Sequence, residues 1–303
     1  MPKEVETHKI MGNGNGSFDK AQLPDVHADK ETRGIEIGRV GIDDVVFPLT
    51  IKRKNNGTFQ TLGTFAMYGS LDSKLKGTNM SRFAELLLDY GEASLSGNDF
   101  PGLLKNLANR LETQDVYVKG TFDFWMTKIT PVSKRPSPMS YKCAFVGQYV
   151  DDHLSFVVEV NVPVATYCPC SKKMCIVDHE RGLGKGAHAQ RGVVTLQVKT
   201  DPVSPGAWIE DLVRICETSG SAEVYTLLKR PDEKYVTIQG YENPKFVEDV
   251  ARDVMRKVHD LPEARWAKVR ARNFESIHNH NATAYVSQKK IDDKWVSWNR
   301  AFY

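Results

Sequence analysis

The chain has no apolar run approaching the roughly 20 residues needed to cross a bilayer, and its opening, MPKEVETHKI, holds no apolar stretch that could act as a secretory signal. A cytoplasmic protein with no membrane partner is the expectation. It also lacks an excess of either charge: 41 Lys and Arg against 38 Asp and Glu leave a net +3. That balance argues against a polybasic nucleic-acid surface, so no nucleic-acid partner is expected, although local basic clusters remain able to hold a small anion. Cysteines are few and odd in number, five in 303 residues. Three fall in one short stretch, and Cys143 and Cys216 lie in apolar patterned segments, which favours reduced thiols over a disulfide framework. No dinucleotide-binding fingerprint and no residue-level internal repeat are present.

What is there is the mixture of a globular protein, 41% hydrophobic and 26% charged. Residues 1–30 are polar, with too few large apolar side chains to pack, and are read as a tail outside the fold. VVFPLTIK (45–52) and TFQTLGTFAMYG (58–69) carry β-branched and aromatic strand chemistry around an Asn55-Asn56-Gly57 turn, which predicts a hairpin. SRFAELLLDYG (81–91) and PGLLKNLANRLE (101–112) space leucines three and four apart, which predicts two helices. DVYVKGTFDFWMTK (115–128) and MSYKCAFVGQYV (139–150) return to strands across a Pro-rich turn. From residue 154 the order recurs: strands at 154–165 and 191–200, helices at 207–220 and 244–259, strands at 264–275 and 282–289. The fold class predicted is α+β, two tandem ββααββ halves dividing near residue 152, one of residues 31–152 and one of 153–303.

The chemistry gathers in the second half. CPCSKKMCIVDHERGLGKGAHAQR (168–191) places Cys168 and Cys170 either side of a proline at a strand exit, a spacing read as keeping both thiols out of a helix. His188 follows 20 residues on. Thiolate with imidazole suits a zinc-like cation, and equally a cysteine nucleophile. FESIHNHNATA adds Glu275, His278 and His280; on a strand the two imidazoles would share a face, suited to metal ligation or proton transfer near neutral pH. His179 and His259 are read as structural or exposed. In LLKRPDEKYVT a turn at Pro231 and Asp232 carries Lys229, Arg230, Glu233 and Lys234, by composition a solvated charge run. In NPKFVEDV, Asn243 is expected to cap a helix that has Glu248 in its first turn.

Taken together, KGTNMSRF, CPCSK, AHxQRG, LLKRPDEKYVT, YENPKFVED and ESIHNH resemble the type IB GTP cyclohydrolases, in order and from about residue 23 to the C-terminus. The resemblance implies the tunnelling fold, antiparallel sheets carrying paired helices, assembled as an oligomeric barrel, a homotetramer with active sites between subunits. It implies a divalent metal ion, zinc or manganese with iron also admitted, held by Cys168, His188 and Glu233. It implies that Glu248 anchors the purine, that His278 and His280 move protons with Glu275 nearby, and that Arg82, Lys172, Lys173, Lys185, Arg191 and Arg230 are candidates for the triphosphate. The implied reaction converts GTP and water to 7,8-dihydroneopterin triphosphate and formate, in folate and pterin biosynthesis.

The chain departs from the family pattern at Asn79, where histidine is usual, at Ala189, where asparagine is usual, and at Ile238 and Gly240, where an acid and an alanine are usual. An insertion of about eight residues between Cys168 and His188 brings Cys175. Loss of a carboxylate at 238 removes charge and hydrogen-bonding capacity together. Three alternatives follow: a paralogue opening a related purine nucleotide, a non-catalytic purine-nucleotide binder, and a thiol-dependent nitrile oxidoreductase of the same fold using Cys168 as nucleophile.

Overall fold

The computed structural model describes residues 26–177, 186–200 and 207–298, apart from 92, 93, 96 and 98. Eleven strands form one sheet, in the order β11-β10-β9-β7-β6-β5-β4-β2-β1-β3, with β8 pairing separately to β6. In chain order the elements are β1 (Ile37–Lys52), β2 (Thr58–Leu71), α1 (Ser81–Gly91), β3 (Ser94–Leu95), α2 (Phe100–Leu111), β4 (Val116–Ile129) and β5 (Pro136–Val150). They continue with β6 (His153–Tyr167), α3 (Pro169–Val177), β7 (Ala189–Thr200), α4 (Ile209–Glu217), β8 (Ala222–Glu223) and α5 (Arg230–Glu242). The chain closes with α6 (Val247–Val258), β9 (Ala264–Asn273), β10 (Ala282–Ile291) and β11 (Lys294–Ser297). All pairings are antiparallel except that of β1 with the two-residue β3. The first half runs two strands, two helices with the short β3 between them, then two strands; the second sets α3 between β6 and β7 and the short β8 among its later helices before β9 to β11, and β5 meets β6 across Asp151 and Asp152. Both aspartates have positive φ, 47° and 62°, as a two-residue hairpin of this hand requires.

Period-two alternation turns one face of every long strand toward the helices. In β6 the buried residues are Phe156, Val158, Val160, Val162, Val164 and Thr166, while Glu159 and Asn161 point the other way. Over the first half, Phe83, Leu86, Leu103, Leu104 and Leu107 of α1 and α2 are fully buried against Phe65, Phe145 and Phe156. Over the second, Leu212, Val213 and Cys216 of α4 and Val250, Val254 and Val258 of α6 cover β6, β7 and β9. Cys143 and Cys216 are buried free thiols, and burial pushes both well above the usual thiol range.

A buried polar knot joins the halves. Lys128 Nζ on β4 donates to Glu217 Oε1 at 2.6 Å and to the Val224 carbonyl at 2.9 Å, and lies 2.9 Å from Glu223 Oε2. Tyr141 on β5 donates its hydroxyl to the same Glu217 oxygen at 2.6 Å. Burial first, then the Glu217 carboxylate, raises that phenol.

Several boundaries differ from the sequence reading. The segment 230–242 is a helix, with Pro231 in its first turn, where a missing amide costs no hydrogen bond. Pro169 likewise opens α3 and so places Cys170 inside a helix. Pro136 and Pro138 belong to β5, opposite Ile129 and Thr127. Residues 274–281 form a bend between β9 and β10, so His278 and His280 are not on a strand. Part of the expected tail is folded: Val26–Ala28 make a 3-10 turn, and Lys30 bridges to Leu75. The rest of that tail, to residue 25, and His179 and Lys185 lie outside the described residues.

Candidate active site

Three loops and two helices converge on the end of the sheet where β6 stops. Tyr167, its last residue, is fixed on both backbone groups: its amide donates to Ser221 Oγ at 3.2 Å, and its carbonyl accepts the Lys245 amide at 3.0 Å. Asn243 Nδ2 donates to the carbonyls of Gly220 and Ser221, which ties these two loops to each other. The next residue is Cys168. Its amide donates to the His188 carbonyl at 3.1 Å, its carbonyl accepts the Lys172 amide at 3.1 Å, and its Sγ accepts the Ser171 amide at 3.4 Å. Cys168 thus caps the N-terminus of α3 while touching the strand that begins β7.

The imidazole of His188 is oriented by Gln190. Gln190 donates its amide nitrogen to Thr166 Oγ1 at 3.3 Å, so its oxygen faces His188 Nδ1 at 2.9 Å. Nδ1 is then the protonated nitrogen, and Nε2 keeps its lone pair for a proton or a cation. Glu275 Oε2 lies 3.9 Å from the same Nδ1, with both side chains nearly buried. His278 stands edge-on to His188 with centroids 6.2 Å apart, and stacks on His280 at 5.1 Å. The expectation that 278 and 280 point together holds, although a bend and not a strand brings it about.

α5 crosses this end of the sheet. At its start Asp232 is fully buried and accepts the amides of Val132, Ser133 and Lys229 and the hydroxyl of Ser133. Burial opposes its ionisation, but these hydrogen bonds outweigh it and hold the carboxyl well below the usual range. At its other end Gly240 lies on the Tyr167 ring: a Cβ there would stand 2.3 Å from Tyr167 Cε2. The missing side chain at Gly240 is what admits that ring. Lys172 of α3 donates to the Tyr241 carbonyl at 2.6 Å and sits 4.4 Å over its ring, so it fastens α3 to α5.

The predicted site residues therefore divide. Cys168, His188, Glu275, His278 and His280 are brought together, with Lys172 beside them and Arg191 three residues after His188, exposed at the start of β7. Glu233 is not joined to them. The Asp232 clasp holds the first turn of α5 against the β4–β5 turn, and Glu233 is left exposed, seven residues or about 10 Å along the helix from the Gly240 contact. Among the described residues no three His, Cys, Asp or Glu side chains are gathered closely enough to hold a metal ion. The expected three-ligand set is thus not assembled within the single chain; Cys168 and His188 supply two adjacent donors of suitable chemistry.

Glu248 is exposed in the first turn of α6, without a hydrogen-bond or ion-pair partner among the described residues. The cap of α6 is Phe246, whose amide Asp249 accepts, while Asn243 ends α5. Arg82 lies on α1, held by the Arg110 carbonyl at 2.7 Å, away from this cluster. Lys173 and Arg230 are exposed. Of the departing positions, Ala189 pairs with Tyr167, Ile238 is 45% exposed on α5, and Asn79 accepts the Arg82 amide just before α1. Gln190, Ser171, Ser221 and Lys245 were not singled out by sequence reasoning, and Asp232 was read only as part of a turn. Only Asp232 left a signal there, since RPDEKYVTIQGYE has no apolar stripe that could hold it as a helix.

A tandem antiparallel α+β scaffold with a thiol–imidazole cluster at one end of the sheet is the form of a tunnelling-fold protein. The uricase of Arthrobacter globiformis shares the fold, with a TM-score of 0.50 over 88% of this chain and 97% of that one at 9% identity. The family profile described as type I GTP cyclohydrolase folE2 matches residues 23–284. The GTP cyclohydrolase FolE2 of Syntrophus aciditrophicus is 41% identical over 88% of this chain and 99% of its own length. That of Thiobacillus denitrificans is 42% identical over 88% and 95%, and that of Thermosipho africanus 37% over 89% and 100%. The chain belongs to the type I GTP cyclohydrolase folE2 family.

Proposed function

We propose that this chain is a GTP cyclohydrolase, converting GTP and water to 7,8-dihydroneopterin triphosphate and formate for folate biosynthesis. The observation that carries the reading is the Cys168–His188 pair, locked by backbone hydrogen bonds at the sheet end of a chain that matches FolE2 relatives over nearly their whole length. His188, with Nδ1 given to Gln190, presents Nε2; His278 and His280, stacked and exposed, are assigned the transfer of protons between bulk water and the guanine nitrogens. Glu248, an unpaired carboxylate at a helix start, is assigned to the guanine N–H edge, where it accepts two hydrogen bonds. Arg191 and Arg230 are the exposed cations assigned to the triphosphate.

A divalent ion, zinc or manganese, belongs at Cys168 and His188 in this reading, and bound there it would activate water for attack on C8 of the base. Glu233 remains the third donor proposed, although one chain alone does not bring it in. A homo-oligomer, a tetramer, is proposed on the state of the sheet edges. Among the described residues β3 covers only Thr50 and Ile51 of the long β1, and β11 only the last four residues of β10, which leaves two edges that favour pairing with further copies. Tyr235 and Ile238, exposed beside Glu233 on α5, are the apolar contacts such a neighbour would cover. The reading is tested by incubating purified protein with GTP and with a panel of purine nucleotides, in zinc or manganese. Formate and a pterin that fluoresces after oxidation are expected from GTP; GTP surviving intact in every metal overturns the assignment.

A further inference from the structure

On the sheet face away from the helices, β6, β7, β9 and β10 enclose a hollow of about 490 Å³ that the proposed reaction does not use. One wall is internally satisfied. Thr195 Oγ1 donates to Asn161 Oδ1 at 2.7 Å, Asn161 Nδ2 donates to Glu159 Oε1 at 3.2 Å, and Gln197 Nε2 donates to Glu159 Oε2 at 2.6 Å. Each Glu159 oxygen thus carries an amide, and the carboxylate is engaged within its own wall. The opposite wall is cationic: Lys268 and Arg270 stand two apart on β9 and share the face. Arg270 lies over the Tyr285 ring, 5.7 Å from its centroid, and its Nε is buried with no hydrogen-bond partner. Among the described residues its guanidinium donates to no protein acceptor at all.

The buried Nε is closed off from the hollow, but the terminal N–H groups of the same guanidinium are not among the buried atoms, and with no acceptor among the described residues they are left to a ligand in the hollow. A guanidinium matches a planar pair of oxygens, and a second cation two residues away suits an anion carrying more than one charge. We propose that this hollow binds a small oxyanion of the phosphate class, seated on Arg270 with Lys268 as its second cation. The site is separate from the catalytic end: Thr195 lies four residues beyond Arg191 along β7, about 13 Å away.

The test is calorimetric titration of the full chain with inorganic pyrophosphate at low ionic strength. Wild type is expected to bind, and Arg270→Gln to bind at least about tenfold more weakly while releasing formate from GTP at the wild-type rate. Lys268→Gln gives an independent reading should the Arg270 variant melt early, with a smaller loss in the same direction. Cys168→Ala, and saturation with GTP, are expected to leave pyrophosphate binding intact. The proposal fails if wild type takes up no pyrophosphate or if both β9 variants retain its affinity. It also fails if GTP displaces the ion, because the anion would then be the nucleotide's own tail at the catalytic end.

Discussion

α5 and α6 are consecutive helices of 13 and 12 residues, and they are held in opposite ways. α6 buries Val247, Val250, Ala251, Val254, Met255 and Val258 on one face and belongs to the core. α5 buries only Asp232 and Gly240. α6 is fixed by area, α5 by a few points: a carboxylate clasp at its start, and a close backbone approach and the Lys172 hydrogen bond to Tyr241 at its end. Burial of apolar area gives stability that is insensitive to small displacements, whereas point contacts set position with little contribution to the whole. A helix of the second kind is free to present its remaining surface, Glu233, Tyr235 and Ile238, to something outside the chain. The same contrast separates the two halves: the first carries helices that serve its core, and the second adds α3 and α5, which lie beside the Cys168–His188 cluster without forming it.

The comparison can be broken in graded ways. Met255→Ala on α6 should lower global stability by about 2–4 kcal/mol, read by denaturant titration, with turnover of the folded fraction unchanged. Asp232→Asn should do the reverse. Amide exchange across α5 should speed up while α6 stays protected, and formate release should fall by about 10- to 100-fold through loss of positioning. Gly240→Ala forces the Tyr167 ring aside and so disturbs the residue before Cys168; a loss of about tenfold in kcat with normal melting is expected. Gln190→Leu frees the His188 ring to rotate, and should cost up to about tenfold and alter the pH profile of kcat.

Acid acts on α5 with a definite sign. The folded Asp232 carboxyl titrates below its ordinary 3.8, so its contribution is present above that value and is lost as pH falls through it toward the lower folded value. Exchange protection of α5 should therefore weaken below about pH 4 in wild type and show no such step in Asp232→Asn.

Much of the scaffold was legible because alternation and helical spacing report burial directly. Phe156 to Val164 on β6 and the leucines of α1 and α2 announce their faces. α5 was read as a turn because its fixings, Asp232 and Gly240, leave no periodic trace, and α3 was read as non-helical because a proline between two cysteines reads as a helix breaker where it is a helix start. Cys168, His188, Glu275, His278 and His280 were found by residue type and order. Gln190 orients His188 from two residues away but is itself anchored by Thr166, 24 positions off, and Ser221 and Lys245 hold Tyr167 from 54 and 78 positions away, relations that spacing cannot reveal.

Formate release from GTP by wild type and by Cys168→Ala, matched for melting temperature and metal loading conditions, tests the central assignment most directly. The account predicts steady release from wild type, and from the variant a loss of at least about a hundredfold, with its bound metal lost and its fold intact. Turnover of GTP by Cys168→Ala at the wild-type rate would contradict it.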